Sequence, residues 1–223
     1  MTDPRFHLYL DSAHLDDLSG CLPHPLIYGV TTNPTLLLRA GVSRAALPGH
    51  LKRILSMGVR KVQAQVGSAS ADAMVKDAHE LLSALGPQSL IVKIPATREG
   101  FRAGAKLVAD GAVVTYTAVY APEQALFASL SGAAYAAPYL GRLNDSGVDG
   151  LALIAQMQRL LDRQASATRL LVASVRSREA FVDLLGLGVG AITIPTALWP
   201  ALVDQPATLA AEEGFLADAA KLG

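Results

Sequence analysis

Apolar and polar positions follow two alternating patterns along this chain. Short apolar runs rich in β-branched residues predict β-strands, and longer runs with apolar residues every three or four positions predict amphipathic α-helices. Eight strands are predicted, at residues 7–10, 26–30, 61–66, 90–94, 113–119, 135–140, 169–175 and 191–194. The clearest helical runs lie between them, at residues 70–85, 99–110, 123–130, 151–164 and 177–187.

This strand–helix rhythm predicts an α/β fold, a single-domain (β/α)8 TIM barrel over residues 1–223. An open doubly wound sheet fits less well, because it usually carries a G-x-G-x-x-G phosphate loop after its first strand and no such motif occurs here. Glycines that follow helical runs are expected to be left-handed caps, at Gly86, Gly111, Gly132 and Gly188. One further amphipathic, alanine-rich helix is predicted at about residues 207–222.

Composition supports a folded enzyme-sized chain. Hydrophobic residues make up 51% and charged residues 17% of the 223 residues, which excludes a disordered chain. Lysine plus arginine equal aspartate plus glutamate at 19 each, so no overall field favours nucleic acid or an anionic membrane. The first residues do not resemble a secretory signal, and the charge-free stretch 124–141 reads as helix, turn and strand. We therefore expect a cytoplasmic protein without nucleic-acid or membrane partners.

The cysteine and histidines of the sequence do not form a metal-binding pattern. Cys21 is the only cysteine, so the sequence lacks the several thiolates that a cysteine-based zinc site uses. The five histidines are scattered through the first 80 residues without ligand-like spacing. We expect no metal and no cofactor.

Lys93 lies inside the apolar run 90–95, where an ordinary solvated charge would be misplaced. One interpretation is an outward lysine that extends past a helix or pairs with a carboxylate. The other is a nucleophilic amine, which must be neutral. Its pKa would then fall from about 10.4 toward about 7, a shift of roughly 4.6 kcal/mol that an apolar barrel interior can supply.

Six motifs resemble, in order and position, those of the transaldolase and fructose-6-phosphate aldolase family of class I aldolases. They are LYLDS at 8–12, GVTTNP at 29–34, VKIP at 92–95, TAVY at 117–120, APY at 137–139 and AS at 173–174. GVTTNP is the most specific of them, and the resemblance extends over nearly the whole chain.

The resemblance implies catalytic roles for five residues. Lys93 matches the Schiff-base lysine, and Asp11 matches the acid/base aspartate beside the donor hydroxyls. Gln65, Thr117 and Tyr139 match positions around a water that carries protons during imine formation and cleavage. Without the resemblance, Asp11 could equally be the cap of the first helix.

The resemblance also implies substrate contacts, in two groups. At the donor end, Thr31 and Asn33 would orient the substrate, and Thr115 and Ala137 would line the pocket. Arg142, Ser174 and Arg176 would hold the acceptor's phosphate or terminal hydroxyls, for which the planar arginine fork is well suited. From the residues alone, Asn33 could be a plain Asn-Pro turn and either arginine a rim salt-bridge partner.

Two branches of the family differ in the fate of the three-carbon donor. Gln65 and Tyr139 favour the aldolase branch, because the transferase branch usually has glutamate and phenylalanine there. Ser12, Thr115 and the run GRLND at 141–145 depart from the aldolase pattern. We expect an aldolase that cleaves or forms a ketose such as fructose 6-phosphate from a dihydroxyacetone-type donor and an aldehyde such as glyceraldehyde 3-phosphate.

Two alternatives stay open at this point: a transaldolase that transfers dihydroxyacetone between sugar phosphates, and a non-catalytic barrel that binds sugar phosphates. The resemblance further implies a homo-oligomer, since the aldolase branch tends to form ring-shaped decamers. The predicted C-terminal helix could serve that assembly or fold back on its own barrel.

Overall fold

A computed structural model describes residues 5–222 of the chain. Its eight parallel strands close into one barrel in sequence order, with the last strand paired to the first. The strands are β1 (His7–Asp11), β2 (Ile27–Thr31), β3 (Lys61–Gln65), β4 (Leu90–Pro95), β5 (Val114–Val119), β6 (Tyr135–Pro138), β7 (Arg169–Val172) and β8 (Ala191–Ile194). The predicted TIM barrel is confirmed.

Helices surround the barrel and connect its strands. Within residues 5–222 they are α1 (Leu15–Ser19), α2 (Pro34–Arg39), α3 (Leu47–Ser56), α4 (Ala71–Leu85), α5 (Arg98–Ala109), α6 (Pro122–Leu130), α7 (Leu140–Asp145), α8 (Gly150–Arg163), α9 (Arg178–Gly186), α10 (Trp199–Val203) and α11 (Pro206–Ala219). A short 3-10 turn, Thr196–Leu198, precedes α10.

Strand alternation divides the apolar residues into two cores. Side chains such as Val92 and Ile94 point outward into the large cluster packed beneath the helices. The alternate side chains, including Ile91 and Leu171, form a smaller cluster with Tyr9 and Tyr135. Because successive strand residues face opposite sides, this second cluster fills the barrel interior.

Two predicted strands end two or more residues earlier than expected. β6 ends at Pro138 because Tyr139 adopts the position before α7, and its side chain then turns toward the barrel mouth. β7 ends at Val172, shortly before Ser174, whose φ of 59° lies in the left-handed region. The chain leaves the sheet there. The four glycines predicted as left-handed caps all have positive φ, between 75° and 85°.

The C-terminal helix differs from its prediction. It spans Pro206–Ala219, and none of its residues is buried. Its apolar side chains are distributed around the helix and do not form the stripe expected of an amphipathic helix. Phe215 and Leu216 are 72% and 65% exposed, so α11 offers apolar surface that its own barrel leaves uncovered.

Candidate active site

A cavity of about 190 Å³ lies at the carboxyl ends of the barrel strands. In a TIM barrel this face carries the reactive groups, because the βα loops there vary while the strands hold them rigidly. Six of the residues proposed from the sequence line the cavity: Asp11, Asn33, Lys93, Tyr139, Arg142 and Ser174. Four residues that the sequence did not single out line it with them: Thr35, Leu36, Arg39 and Ala173.

Lys93 lies on β4, is only 4% exposed and faces the barrel interior. Its Nζ donates a hydrogen bond to the carbonyl of Thr32, 3.0 Å away. Burial lowers the pKa of this amine, and the positive charge of Arg142 acts in the same direction against the opposing effect of Asp11. No carboxylate is within ion-pair distance of Lys93 in the described residues. The arrangement therefore favours a neutral amine with a usable lone pair.

Asp11 ends β1 on the same face of the barrel. Thr31 Oγ1 donates to its Oδ1 at 2.7 Å, and Thr193 Oγ1 lies 2.7 Å from Thr31 Oγ1. Removal from water raises the pKa of this carboxyl, although Lys93, Thr31 and Arg142 each act to lower it. A carboxyl with a raised pKa and a fixed orientation is suited to both accepting and donating a proton.

Tyr139 follows β6, and its hydroxyl lies 2.6 Å from Thr117 Oγ1. The next residue after Thr117, Ala118, has an unusual φ of 57°. Burial raises the pKa of Tyr139, so the phenol keeps its proton at neutral pH. The guanidinium of Arg142 lies over the ring, 4.7 Å from its centroid. Thr117 and Arg142 thus hold the tyrosine in the cavity wall.

Arg176 lies outside the cavity lining. Both of its terminal nitrogens donate to the carboxylate of Asp145, at 2.7 and 2.6 Å, in an exposed bidentate pair. Its guanidinium lowers the pKa of Asp145. The pair sits against Gly141, where an added Cβ would lie 2.7 Å from both Arg176 Nε and the Ser174 carbonyl. In this state Arg176 is the rim salt-bridge partner that the sequence left as an alternative.

Asn33 and Gln65 have neighbours that the family resemblance did not predict. Asn33 caps α2, its side-chain oxygen accepting from the backbone nitrogen of Leu36 at 3.0 Å. Gln65 is adjacent to Lys93 in the strand register, but it lines a separate cavity of about 490 Å³ between α2, α3 and α4. A proton relay through Gln65 remains a prediction.

Thr115 and Ala137 lie deeper than the cavity. Both are buried, at 0% and 1% exposure, and neither lines it. Thr115 Oγ1 donates to Gln63 Oε1 at 2.8 Å, while Gln63 Nε2 has no hydrogen-bond partner among the described residues. Thr115 and Gln63 form a polar layer within the barrel, below the ends of the strands.

A family model described as Transaldolase/Fructose-6-phosphate aldolase matches residues 8–223. The chain belongs to this family. Similar proteins include "Probable transaldolase 2" of Listeria monocytogenes, 35% identical over 94% of either chain. "Probable transaldolase" of Rhizobium meliloti is 34% identical over 96% of this chain and 97% of its own, and that of Thermus thermophilus 33% over 95% and 96%. Family and names indicate an enzyme of the transaldolase or aldolase type.

Three residues in or near the site were not predicted from the sequence, although two of them carried a recognisable pattern. Thr193 is a polar residue within the apolar strand β8, and Gln63 precedes Gln65 by two positions on β3, so both were candidates for the barrel interior. Arg39 gave no such signal, because it looks like an ordinary basic residue in the last turn of a helix.

Residues 5–222 contain neither a cluster of metal ligands nor a membrane-spanning helix. No three histidine, cysteine, aspartate or glutamate side chains converge there in a way that could hold a metal ion. In the same residues, no helix has the length and apolarity needed to cross a membrane. The expectation that catalysis needs no metal is untested by either finding.

Proposed function

We propose that this protein is a Schiff-base aldolase that cleaves or forms a ketose phosphate such as fructose 6-phosphate. The observation that carries the proposal is the buried amine of Lys93 in one cavity with Asp11, at the strand ends of the barrel. Burial favours the neutral amine and also favours the protonated carboxyl, so the pair is suited to supply a nucleophile and a group that donates and accepts a proton.

The chemistry follows from those two groups. The Lys93 amine attacks the ketone carbon, and the resulting hydroxyl leaves as water with a proton from the Asp11 carboxyl, which gives a protonated imine and the Asp11 carboxylate. Asp11, as carboxylate, then accepts the proton of the C4 hydroxyl while the C3–C4 bond breaks. The bonding electrons move into the imine to give an enamine, and the aldehyde leaves. No outside oxidant or reductant is needed, because the imine itself accepts the electron pair.

Release of the donor requires a proton on the enamine carbon and then water on the imine carbon. Tyr139 supports this outcome, since its protonated hydroxyl sits in the cavity wall beside Thr117 and can position water. An apolar ring at that place would leave the intermediate to a second aldose. This is the reason we place release ahead of transfer.

Transaldolase activity is the second candidate, and the names of the relatives favour it. All three relatives cited above carry the name probable transaldolase, at identities of 33–35% over nearly the whole chain. Transfer uses the same Lys93 intermediate and differs only in whether water or an aldose reacts with the enamine or imine.

Incubation with fructose 6-phosphate, with and without erythrose 4-phosphate, separates the candidates. An aldolase forms glyceraldehyde 3-phosphate and free dihydroxyacetone in equal amounts without any acceptor. A transaldolase forms glyceraldehyde 3-phosphate only when erythrose 4-phosphate is present, together with a seven-carbon ketose phosphate. Absence of product under both conditions would leave the non-catalytic sugar-phosphate-binding barrel.

A further inference from the structure

Arg39 is a charged residue of the cavity to which the family resemblance assigns no role. It lies in the last turn of α2 and lines the same cavity as Lys93 and Asp11. None of the described residues makes a hydrogen bond or ion pair with its guanidinium, so its five N–H donors are free to meet a ligand. An unpaired arginine at the mouth of a site with a sugar phosphate as substrate is a candidate anion ligand.

Arg176 is the competing candidate, and its surroundings argue against it. Its two terminal nitrogens are already used by the Asp145 carboxylate in a bidentate pair. A phosphate that binds there has to displace Asp145 or approach it as a like charge, and both cost free energy. Arg39 carries neither cost.

Arg142 provides the second positive charge on the cavity wall. It stands on α7, directly after β6, whereas Arg39 stands on α2, directly after β2. In the closed order β1 to β8, these strands are four places apart, so they lie across the barrel from each other. The two arginines therefore approach the cavity from opposite sides, with Lys93 on β4 between them.

We propose that Arg39 and Arg142, and not Arg176, hold the terminal phosphate of the substrate, and that Arg39 is the residue that sets the preference for phosphorylated aldehydes. The inference rests on the proposed function, since it assigns a partner to the end of the substrate remote from Lys93. The planar guanidinium forks suit a tetrahedral phosphate, which can accept from both at once.

The test compares Arg39→Gln with two matched variants, Arg176→Gln and Arg159→Gln, the last on the exposed side of α8 away from the cavity. Synthesis rates are measured with dihydroxyacetone and either glyceraldehyde 3-phosphate or glyceraldehyde. Arg39→Gln should lower kcat/KM for the phosphorylated aldehyde by roughly 10- to 100-fold, mainly through KM, as expected for one charge-assisted contact. Unphosphorylated glyceraldehyde should change by less than about 3-fold, and Arg159→Gln should behave as wild type with both.

Two further measurements distinguish the phosphate-binding role of Arg39 from the catalytic role of Lys93. Titration calorimetry with inorganic phosphate reads the site without turnover, and Arg39→Gln should weaken that binding about 10-fold or more while Arg176→Gln does so less. Borohydride trapping of dihydroxyacetone on Lys93 should persist in Arg39→Gln. Equal losses for both aldehydes, or unchanged phosphate binding, would overturn the role of Arg39; failure of trapping in the wild type would overturn the proposed function instead.

Discussion

The same buried environment shifts the pKa values of Lys93 and Asp11 in opposite directions. Burial disfavours any charged form, so it lowers the pKa of the lysine and raises that of the aspartate. Each group also acts on the other in favour of its charged form, but burial is the larger effect in both cases. Burial therefore favours the neutral amine of Lys93 and the protonated carboxyl of Asp11 in the same cavity.

Tyr139 is the residue at which release and transfer should separate. In Tyr139→Phe the ring keeps its place under Arg142, while the hydroxyl that bonds to Thr117 is lost. We expect hydrolysis of the imine to slow by roughly 10²–10⁴-fold, the usual contribution of general acid–base assistance, and transfer to an aldose to slow less. The measurement is the ratio of free dihydroxyacetone to new ketose with an aldose acceptor present.

Tyr120→Phe is the matched control, because this half-exposed phenol packs edge-on against the ring of Tyr139 at 5.9 Å. It should leave the ratio unchanged. If Tyr139→Phe lowers both rates equally and keeps the wild-type ratio, the hydroxyl has no part in directing water and the case for an aldolase weakens.

The site was predictable from sequence where the signal is a charge or a motif on a strand. Lys93 stands out as a lysine within apolar β4, and GVTTNP contains the N-cap of α2, Asn33, and its first residue, Pro34. Side-chain direction and partner choice were not predictable. Gln65 lies next to Lys93 but lines another cavity, and Arg176 is paired by Asp145, which is 31 residues away in sequence.

At the scale of elements, strands were the better predicted part of the fold. Each strand carries its own apolar run, whereas α2 and α7 are six residues long and too short to show a helical period. These two short helices carry Arg39 and Arg142. The sequence pattern therefore predicts the barrel strands more readily than the short helices at the mouth of the barrel.

The polar layer of Gln63 and Thr115 gives a test of element packing. Thr115→Val removes the donor to Gln63 Oε1, in a side chain whose Nε2 already lacks a partner. We expect a loss of about 1–3 kcal/mol in the free energy of unfolding. Adding Gln63→Met should recover part of that loss, because the unpaired amide is then gone.

A double-mutant cycle from urea unfolding at unchanged m-value measures the coupling. Thr168→Val is the comparison, since Thr168 bonds to the Ala133 carbonyl and shares no partner with Gln63. Its effect should add to that of Gln63→Met. Strict additivity of Gln63→Met with Thr115→Val as well would show that the two side chains do not depend on each other.

At the scale of the whole molecule, α11 is the feature that an isolated barrel does not explain. No residue of this helix is buried, and Leu209, Phe215 and Leu216 are all exposed. We propose that another copy of the chain covers this helix, because a helix that leaves several large apolar side chains exposed on its own barrel is usually a contact site.

Light scattering on the full chain and on a truncation ending at Gln205 tests assembly through α11. The full chain should have the mass of an oligomer, and the truncation should contain fewer subunits. Circular dichroism provides the control, since the shortened barrel should keep its strand signal. A monomer mass for both forms would contradict assembly, and an unchanged oligomer would place the interface elsewhere.

The central claim is that Lys93 forms the covalent intermediate, and borohydride trapping tests it most directly. The protein is incubated with dihydroxyacetone, reduced, and mapped by peptide mass spectrometry, with Lys106→Met on the exposed face of α5 as control. Because the pKa of Lys93 is lowered, trapping should persist at pH values below the ordinary range of lysine. The reduced three-carbon adduct should lie on Lys93 in the wild type and in Lys106→Met, and should be absent from Lys93→Met. An adduct on another lysine, or full turnover by Lys93→Met, would contradict the account.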